Sequence, residues 1–178
     1  MLAKFYAVNA DRVGWYILPF AVAGNFPVAL GRLFDTAGRR IRISLTYTLS
    51  GLLLVGCGAL LEWNVLSAAN QTLGWMVVFF VASPAASAAY LTVSETFPIE
   101  IRALTIAIFH AIGAGIGGVA APFIFGRLIE CGSRESVFSG YNVAAALMLG
   151  ASLVTAVFAV PAERKPLEEV ATPLSAVL

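Results

Sequence analysis

The chain has 178 residues, of which 60% are hydrophobic and only 12% charged, and its mean hydropathy is +0.88. This composition excludes an ordinary water-soluble domain, in which about a quarter of the residues are charged. The net charge of +1, with the few cations gathered between apolar runs, gives no electrostatic basis for binding nucleic acid.

Five apolar runs without Asp, Glu, Lys or Arg predict membrane spans. They occupy residues 13–30, 43–61, 73–93, 103–126 and 137–160. A hydrocarbon core of about 30 Å requires roughly 20 residues of helix, which these runs approach or exceed. Because continuous apolar runs lack the alternation of barrel strands, the predicted fold is all-α, a polytopic bundle of five transmembrane helices.

Small residues recur four positions apart in two of these runs. Ala82 and Ala86 lie in the third run, and Gly113 and Gly117 in the fourth. Small side chains let helix backbones approach closely in a membrane, so this spacing predicts helix packing.

The basic residues predict the orientation of the spans. The connection after the first run holds Arg32, Arg39, Arg40 and Arg42, whereas the connection over residues 62–72 holds no basic residue. The positive-inside rule therefore places the first connection in the cytoplasm. Alternation then puts the N-terminus outside and the C-terminus inside, as expected for a multi-pass protein of the cell (inner) membrane.

The first connection also carries a specific pattern. Residues 31–40 read GRLFDTAGRR, which resembles the cytoplasmic loop signature GxLxDxxGRR of the major facilitator superfamily. A generic basic loop accounts for arginines but not for the spaced glycines and aspartate. The residues that carry this match are Gly31, Arg32, Asp35, Gly38, Arg39 and Arg40.

Two further segments resemble members of that superfamily of the sugar-porter type. Residues 90–102, YLTVSETFPIEIR, are similar to the connection after the tenth helix, and residues 161–169, PAERKPLEE, are similar to the tail. The resemblance implies a cytoplasmic charge network in which Glu95 pairs with Arg102 or Arg39. Pro98 is expected to interrupt the helix between Glu95 and Arg102.

The resemblance aligns the chain with helices eight to twelve of a twelve-helix transporter and implies a partial fold of that superfamily. Residues 1–12 are then an extracytoplasmic segment that ends a missing seventh helix, residues 13–160 the C-terminal bundle, and residues 161–178 a cytoplasmic tail. The implied partners are the lipid bilayer, a small-molecule solute and the missing N-terminal half of the transporter. The substrate is not implied, because the helices that would carry its signature are absent.

Polar residues inside the predicted spans are candidates to line a solute cavity, because such groups are costly in lipid. They are Asn25, Ser83, Ser87, Tyr90 and His110. Spacings of four and three place Ser83, Ser87 and Tyr90 on one helical face, where hydrogen bonding between helices is the alternative role. His110 is predicted to be a packed, neutral histidine near the cytoplasmic helix end, with proton coupling as the alternative.

The predicted function is secondary active transport of a small solute by alternating access. The alternative is a non-transporting scaffold or regulatory subunit bound to a larger carrier. The sequence contains no catalytic motif and no spacing of metal ligands, so neither an enzyme nor a metal or cofactor site is predicted.

The orientation is testable by cysteine labelling in intact cells, after both native cysteines are replaced by serine. We expect a membrane-impermeant maleimide to modify Asn64→Cys and to leave Thr36→Cys unmodified until the membrane is permeabilised. The reverse pattern would show that the bundle is inserted the other way round.

Overall fold

A computed structural model describes residues 1–25 and 39–159, and within these ranges the chain contains helices and no strand. The helices are α1 (Leu2–Tyr6), α2 (Ala10–Asn25), α3 (Arg39–Glu62), α4 (Ala68–Thr96), α5 (Ile99–Glu130) and α6 (Arg134–Phe158). The prediction of an all-α fold is confirmed for the part of the chain described.

Four of the described helices, α3 to α6, are long and apolar enough to cross a membrane. They coincide with the second to fifth predicted spans, and they are compatible with a multi-pass membrane protein. Helix α2 has 16 residues, about 24 Å of helix, and its part from Val13 to Asn25 covers the start of the first predicted span. The remainder of that span lies outside the described residues, so a fifth crossing stays a prediction.

The four long helices all begin before the apolar runs that predicted them. Helix α4 begins at Ala68 and α6 at Arg134, and each follows a serine whose hydroxyl accepts a hydrogen bond from the backbone N–H three residues on. These acceptors are Ser67, bonded by Asn70, and Ser133, bonded by Ser136. Such caps satisfy orphan backbone donors, so a helix starts at its cap rather than at its first apolar residue.

Helix α3 lies at the centre of the arrangement. It packs most extensively against α6 on one side and against α4 on the other, and α2 packs on α4. Helix α5 contacts α4 and α6 only lightly, and none of its residues is buried. The bundle therefore has a well-packed core of α3, α4 and α6, with α5 on its margin.

Glycines bring α3 close to α6. A Cβ at Gly58 would lie 2.8 Å from ring atoms of both Phe138 and Tyr141, and a Cβ at Gly51 would lie 3.3 Å from the Ala145 carbonyl oxygen. Because the two glycines are seven residues apart, they lie on the same side of α3. The two backbones thus approach as they do where small residues line a membrane helix interface.

Hydroxyl groups reinforce the same interface nearer the other end of α3. The Ser152 hydroxyl donates to the Ser44 carbonyl oxygen at 2.8 Å and lies 2.8 Å from the Ser44 hydroxyl and 2.7 Å from the Thr48 hydroxyl. A hydroxyl has one hydrogen and two lone pairs, so these three contacts satisfy Ser152 fully. Ser152 is buried, and its hydrogen bonds replace those that water would otherwise provide.

Small residues pack closely in α4 but not in α5, and the packed residues of α4 are not the predicted pair Ala82 and Ala86, of which Ala86 is exposed. Ala85 and Ala88 are buried and form a cluster with Ile43 of α3. In contrast, no heavy atom lies within 4 Å of a Cβ built on Gly113 or Gly117. The small-residue face of α5 therefore has no packing partner among the described residues.

The close approach of α3 and α6 can be tested with two glycines of the same helix. We expect Gly58→Ala to lower the thermal unfolding midpoint in detergent, because overpacking of this kind costs about 1–3 kcal/mol. Gly56→Ala is the matched control, since nothing lies within 4 Å of its added methyl group. An equal midpoint for the two variants would contradict this account of the interface.

Candidate functional site

Helices α4 and α5 form a tight hairpin that brings their polar residues together. Helix α4 ends at Thr96, and Pro98, which has no N–H to continue a helix, precedes the first residue of α5. The predicted interruption at Pro98 is therefore present. The chain folds back at this connection, and Tyr90, near the end of α4, lies beside His110 of α5.

Tyr90 and His110 make a hydrogen bond that links the two helices. The Tyr90 phenol oxygen lies 3.1 Å from His110 Nδ1, and the ring centroids are 5.8 Å apart at an interplanar angle of 50°. Two of the residues predicted to line a cavity are thus in direct contact. For Tyr90, this contact realises the alternative role of hydrogen bonding between helices, and cavity lining stays a prediction for both residues.

Ser83 and Ser87 continue this polar group along α4. The Ser87 hydroxyl donates to the Ser83 carbonyl oxygen at 3.2 Å, one turn earlier in the same helix, and Ser87 is exposed. Ser87 therefore satisfies its hydrogen within its own helix and keeps its oxygen lone pairs available. Asn25 ends α2, and its side chain lies outside the described part of the structure.

His110 differs from the packed histidine expected from the sequence, because it is exposed. Its position along the helix also differs from the expectation, which placed it near the cytoplasmic helix end. Helix α5 begins at Ile99 and ends at Glu130, so His110 lies four to five residues, about 7 Å, from the middle of the helix. A polar ring this deep and this exposed has to meet water, a ligand or another polar surface rather than acyl chains.

The residues of the loop signature, together with Glu95 and Arg102 of the charge network, form the predicted cytoplasmic gate. Among them, Arg40 has a described structural contact. Its Nε donates to the Ala156 carbonyl oxygen at 2.7 Å, and its Nη2 donates to the same oxygen. Ala156 lies in the last turn of α6, where carbonyl groups lack helical partners and the helix dipole favours a cation. Arg40 thus ties the start of α3 to the end of α6.

The other predicted gate residues are not brought together by described contacts. Arg102 lies in the first turn of α5, and its Nε is buried without a hydrogen-bond partner. The side chains of Arg39 and Glu95 lie outside the described residues, as do Gly31, Arg32, Asp35 and Gly38 altogether. The pairing of Glu95 with Arg102 or Arg39 therefore stays a prediction.

A second group of cations, which the sequence did not single out, closes the opposite end of the bundle. Arg134 donates from Nη1 to the Leu61 carbonyl oxygen at 3.2 Å and from Nη2 to the Phe5 carbonyl oxygen at 3.0 Å. Lys4 donates to the carbonyl oxygen of Glu130, the last residue of α5, at 2.7 Å. The C-terminal ends of α1, α3 and α5 are thus all capped by cations.

Helix α1 is part of this capped end. Leu2 is buried, and the Tyr6 phenol donates to Gln71 Oε1 of α4 at 3.1 Å. Partial burial raises the pKa of the Tyr6 phenol above its ordinary value, and the nearby Arg134 guanidinium opposes that shift. No sequence motif marks these contacts, because a cation that caps a distant helix leaves no local pattern.

Within residues 1–25 and 39–159, no group of three or more His, Cys, Asp and Glu side chains is placed to hold a metal ion. Comparisons with protein-family models, with curated proteins and with solved structures find no match.

The structural role of Arg40 can be tested against that of a neighbouring arginine. We expect Arg40→Gln to lower the thermal unfolding midpoint more than Arg42→Gln does, since a hydrogen bond from a charged donor contributes about 1.5–3 kcal/mol. Both variants remove one positive charge from the same turn of α3, so a loss due to charge alone would affect them equally. Equal midpoints would rule out the bond to Ala156 as a stabilising contact.

Proposed function

We propose that the chain is the C-terminal part of a secondary transporter of the major facilitator superfamily and moves a small solute by alternating access. The sequence patterns over residues 31–40 and 90–102 support this family, and the long apolar helices are compatible with it. In this proposal the chain lies in the cell membrane with its N-terminus outside and its C-terminus in the cytoplasm.

The observation that carries the proposal is the exposed polar face shared by α4 and α5. Ser87, Tyr90 and His110 are all exposed, and Tyr90 retains 42% of its accessible surface. Apolar side chains around them, such as Ile112 and Ile116, are satisfied by lipid, but a phenol, an imidazole and a hydroxyl are not. A hydrated solute pathway provides partners for such groups near the middle of a membrane.

The second supporting observation is the open surface of α5. This helix of 32 residues has no buried residue, and its glycine face has no neighbour within the described structure. Small residues on a membrane helix favour close approach by another helix. We propose that the N-terminal half of the transporter covers this face and that the solute site lies between the two halves.

Covering of α5 can be tested by cysteine accessibility in a background without native cysteines. We expect Val119→Cys on α5 to react with a lipid-soluble maleimide in the chain alone and to lose most of that reactivity when an N-terminal half is co-expressed. Leu153→Cys on α6 is the control, because it is similarly exposed but lies on a helix that the proposal leaves facing lipid. Unchanged reactivity of Val119→Cys in a purified complex of the two halves would contradict the proposed interface.

Transport itself gives the complementary test. We expect the chain alone, reconstituted in liposomes, to insert without saturable uptake of radiolabelled monosaccharides or other small solutes, because one half cannot close a site from both sides in turn. Co-reconstitution with the N-terminal half should restore uptake. Saturable uptake by the chain alone would show that a second half is not needed.

A further inference from the structure

Helices α3 and α4 leave a groove between them on the surface of the bundle. The groove has a volume of about 490 Å³. Its rims are exposed apolar side chains, among them Leu52 and Leu60 of α3 and Leu73 of α4, and its floor includes the buried Cys57 and Val78. An exposed apolar surface of this kind on helices long enough to span a membrane favours contact with hydrocarbon.

The two helices meet behind the groove and leave free space in front of it. At the floor, a Cβ built on Gly74 would lie 2.8 Å from Cys57 Sγ, and Gln71 Nε2 donates to the same sulfur at 3.1 Å. Nearer the surface, a Cβ built on Gly56 of α3 would meet no heavy atom within 4 Å. The groove is therefore closed on the side of the bundle core and open on the other side.

The length and the position of the groove match one leaflet of a bilayer. Along α3 the groove extends from Leu49, near the middle of the helix, to Leu60, near its end, a distance of about 16 Å. On α4 it occupies part of the first half of the helix, from Asn70 to Val78. A hydrocarbon core of about 30 Å gives each leaflet about 15 Å. The groove thus extends from one membrane interface to the midplane.

The two ends of the groove differ in polarity. At the interfacial end the exposed Asn70 presents an amide, whereas the end near the midplane is formed by leucine and valine side chains. Trp63 is exposed, follows Leu60 by three residues and donates its N–H to the Ala59 carbonyl oxygen at 3.0 Å, so it lies on the same side of α3 as the groove. Tryptophan is enriched at membrane interfaces. No lining residue in this described part of the chain is charged.

We infer that the groove between α3 and α4 binds one acyl chain of a membrane phospholipid, with the ester group of that lipid beside Asn70. The amide of Asn70 can donate to the ester carbonyl oxygen, and the apolar walls contact the methylene groups. A helix is about 10 Å across, so a length of 16 Å takes up about 1,300 Å³ and cannot enter the groove. The inference requires that α3 and α4 span a bilayer, and it does not depend on the proposed transport function.

Photo-crosslinking of the full chain in nanodiscs tests the inference. The probe is phosphatidylcholine with a diazirine near the middle of one acyl chain, diluted into ordinary phosphatidylcholine, and mass spectrometry locates the adducts. The sequence offers matched pairs: Val77 of α4 and Val143 of α6 are both nine residues into their helices, and Leu52 and Leu147 lie near the middles of α3 and α6. The residues of α6 are the more exposed in each pair.

We expect more adducts per exposed area on Val77 and Leu52 than on Val143 and Leu147, because a lipid held in the groove remains beside the groove residues for longer. A bilayer that only surrounds the protein would label all four residues in proportion to their exposure, and that result would overturn the inference. Loss of the excess labelling when the ratio of protein to lipid is raised would also overturn it, since a second copy of the chain would then cover the groove.

A variant that fills the groove gives an independent test. We expect Gly56→Phe to abolish the excess labelling of Val77 and to leave the labelling of Val143 unchanged, because its ring occupies the free space in front of the helix. Gly150→Phe is the matched control, since Gly150 is an exposed glycine of α6 whose added Cβ also meets nothing within 4 Å. It should retain the wild-type pattern. Excess labelling of Val77 that persists in Gly56→Phe would show that the acyl chain does not lie in the groove.

Discussion

The close approach of α3 and α6 is the constraint on which the remaining structure depends. In a bilayer, lipid tails are as apolar as leucine, so burial of apolar surface does not drive two helices together. Contact has to come from van der Waals packing at small residues and from interhelical hydrogen bonds. Gly51 and Gly58 supply the first, and the hydroxyl cluster around Ser152 supplies the second. Helix α3 is fixed against α6 along most of its length, and α4 is then positioned on its other side.

Helix α5 is held differently from the other long helices. Near its C-terminal end, Phe125 and Leu128 pack on Gly140 of α6, and Lys4 caps Glu130. Near its N-terminal end its links to α4 include the short turn at Pro98 and the hydrogen bond of Tyr90 to His110. Helices with few buried contacts open at low free-energy cost. Because none of its residues is buried, α5 is the described long helix that packing holds least firmly.

The sequence predicted the helices better than their contacts, and the reasons are physical. The thickness of a bilayer is fixed, so the length of an apolar run indicates where a membrane helix lies. The four long helices could therefore be predicted from the apolar runs within residues 43–160. The predicted starts were late because caps such as Ser67 and Ser133 are polar.

The contacts between helices could not be predicted in this way, because they depend on which face of each helix meets which neighbour. Gly58 carries no local sign that it packs against Tyr141, and the repeat at Gly113 and Gly117 has no described partner. Tyr90 and His110 are 20 residues apart in the sequence, so their contact could be predicted only by knowing how the chain turns at Pro98.

The described polar groups divide into two classes with different consequences. Arg40, Lys4 and Arg134 sit at helix ends and donate to carbonyl oxygens that would otherwise lack partners. Their hydrogen bonds stabilise the helix ends, because each cation meets the partial negative charge of a helix C-terminus. Tyr90 and His110 lie within the apolar lengths of α4 and α5, where an unpaired polar group is costly, and their hydrogen bond gives each a partner on the neighbouring helix. Permanent charges at the ends set the positions of the helices. The hydrogen bond between Tyr90 and His110 links α4 to α5, the described long helix that has no buried residue.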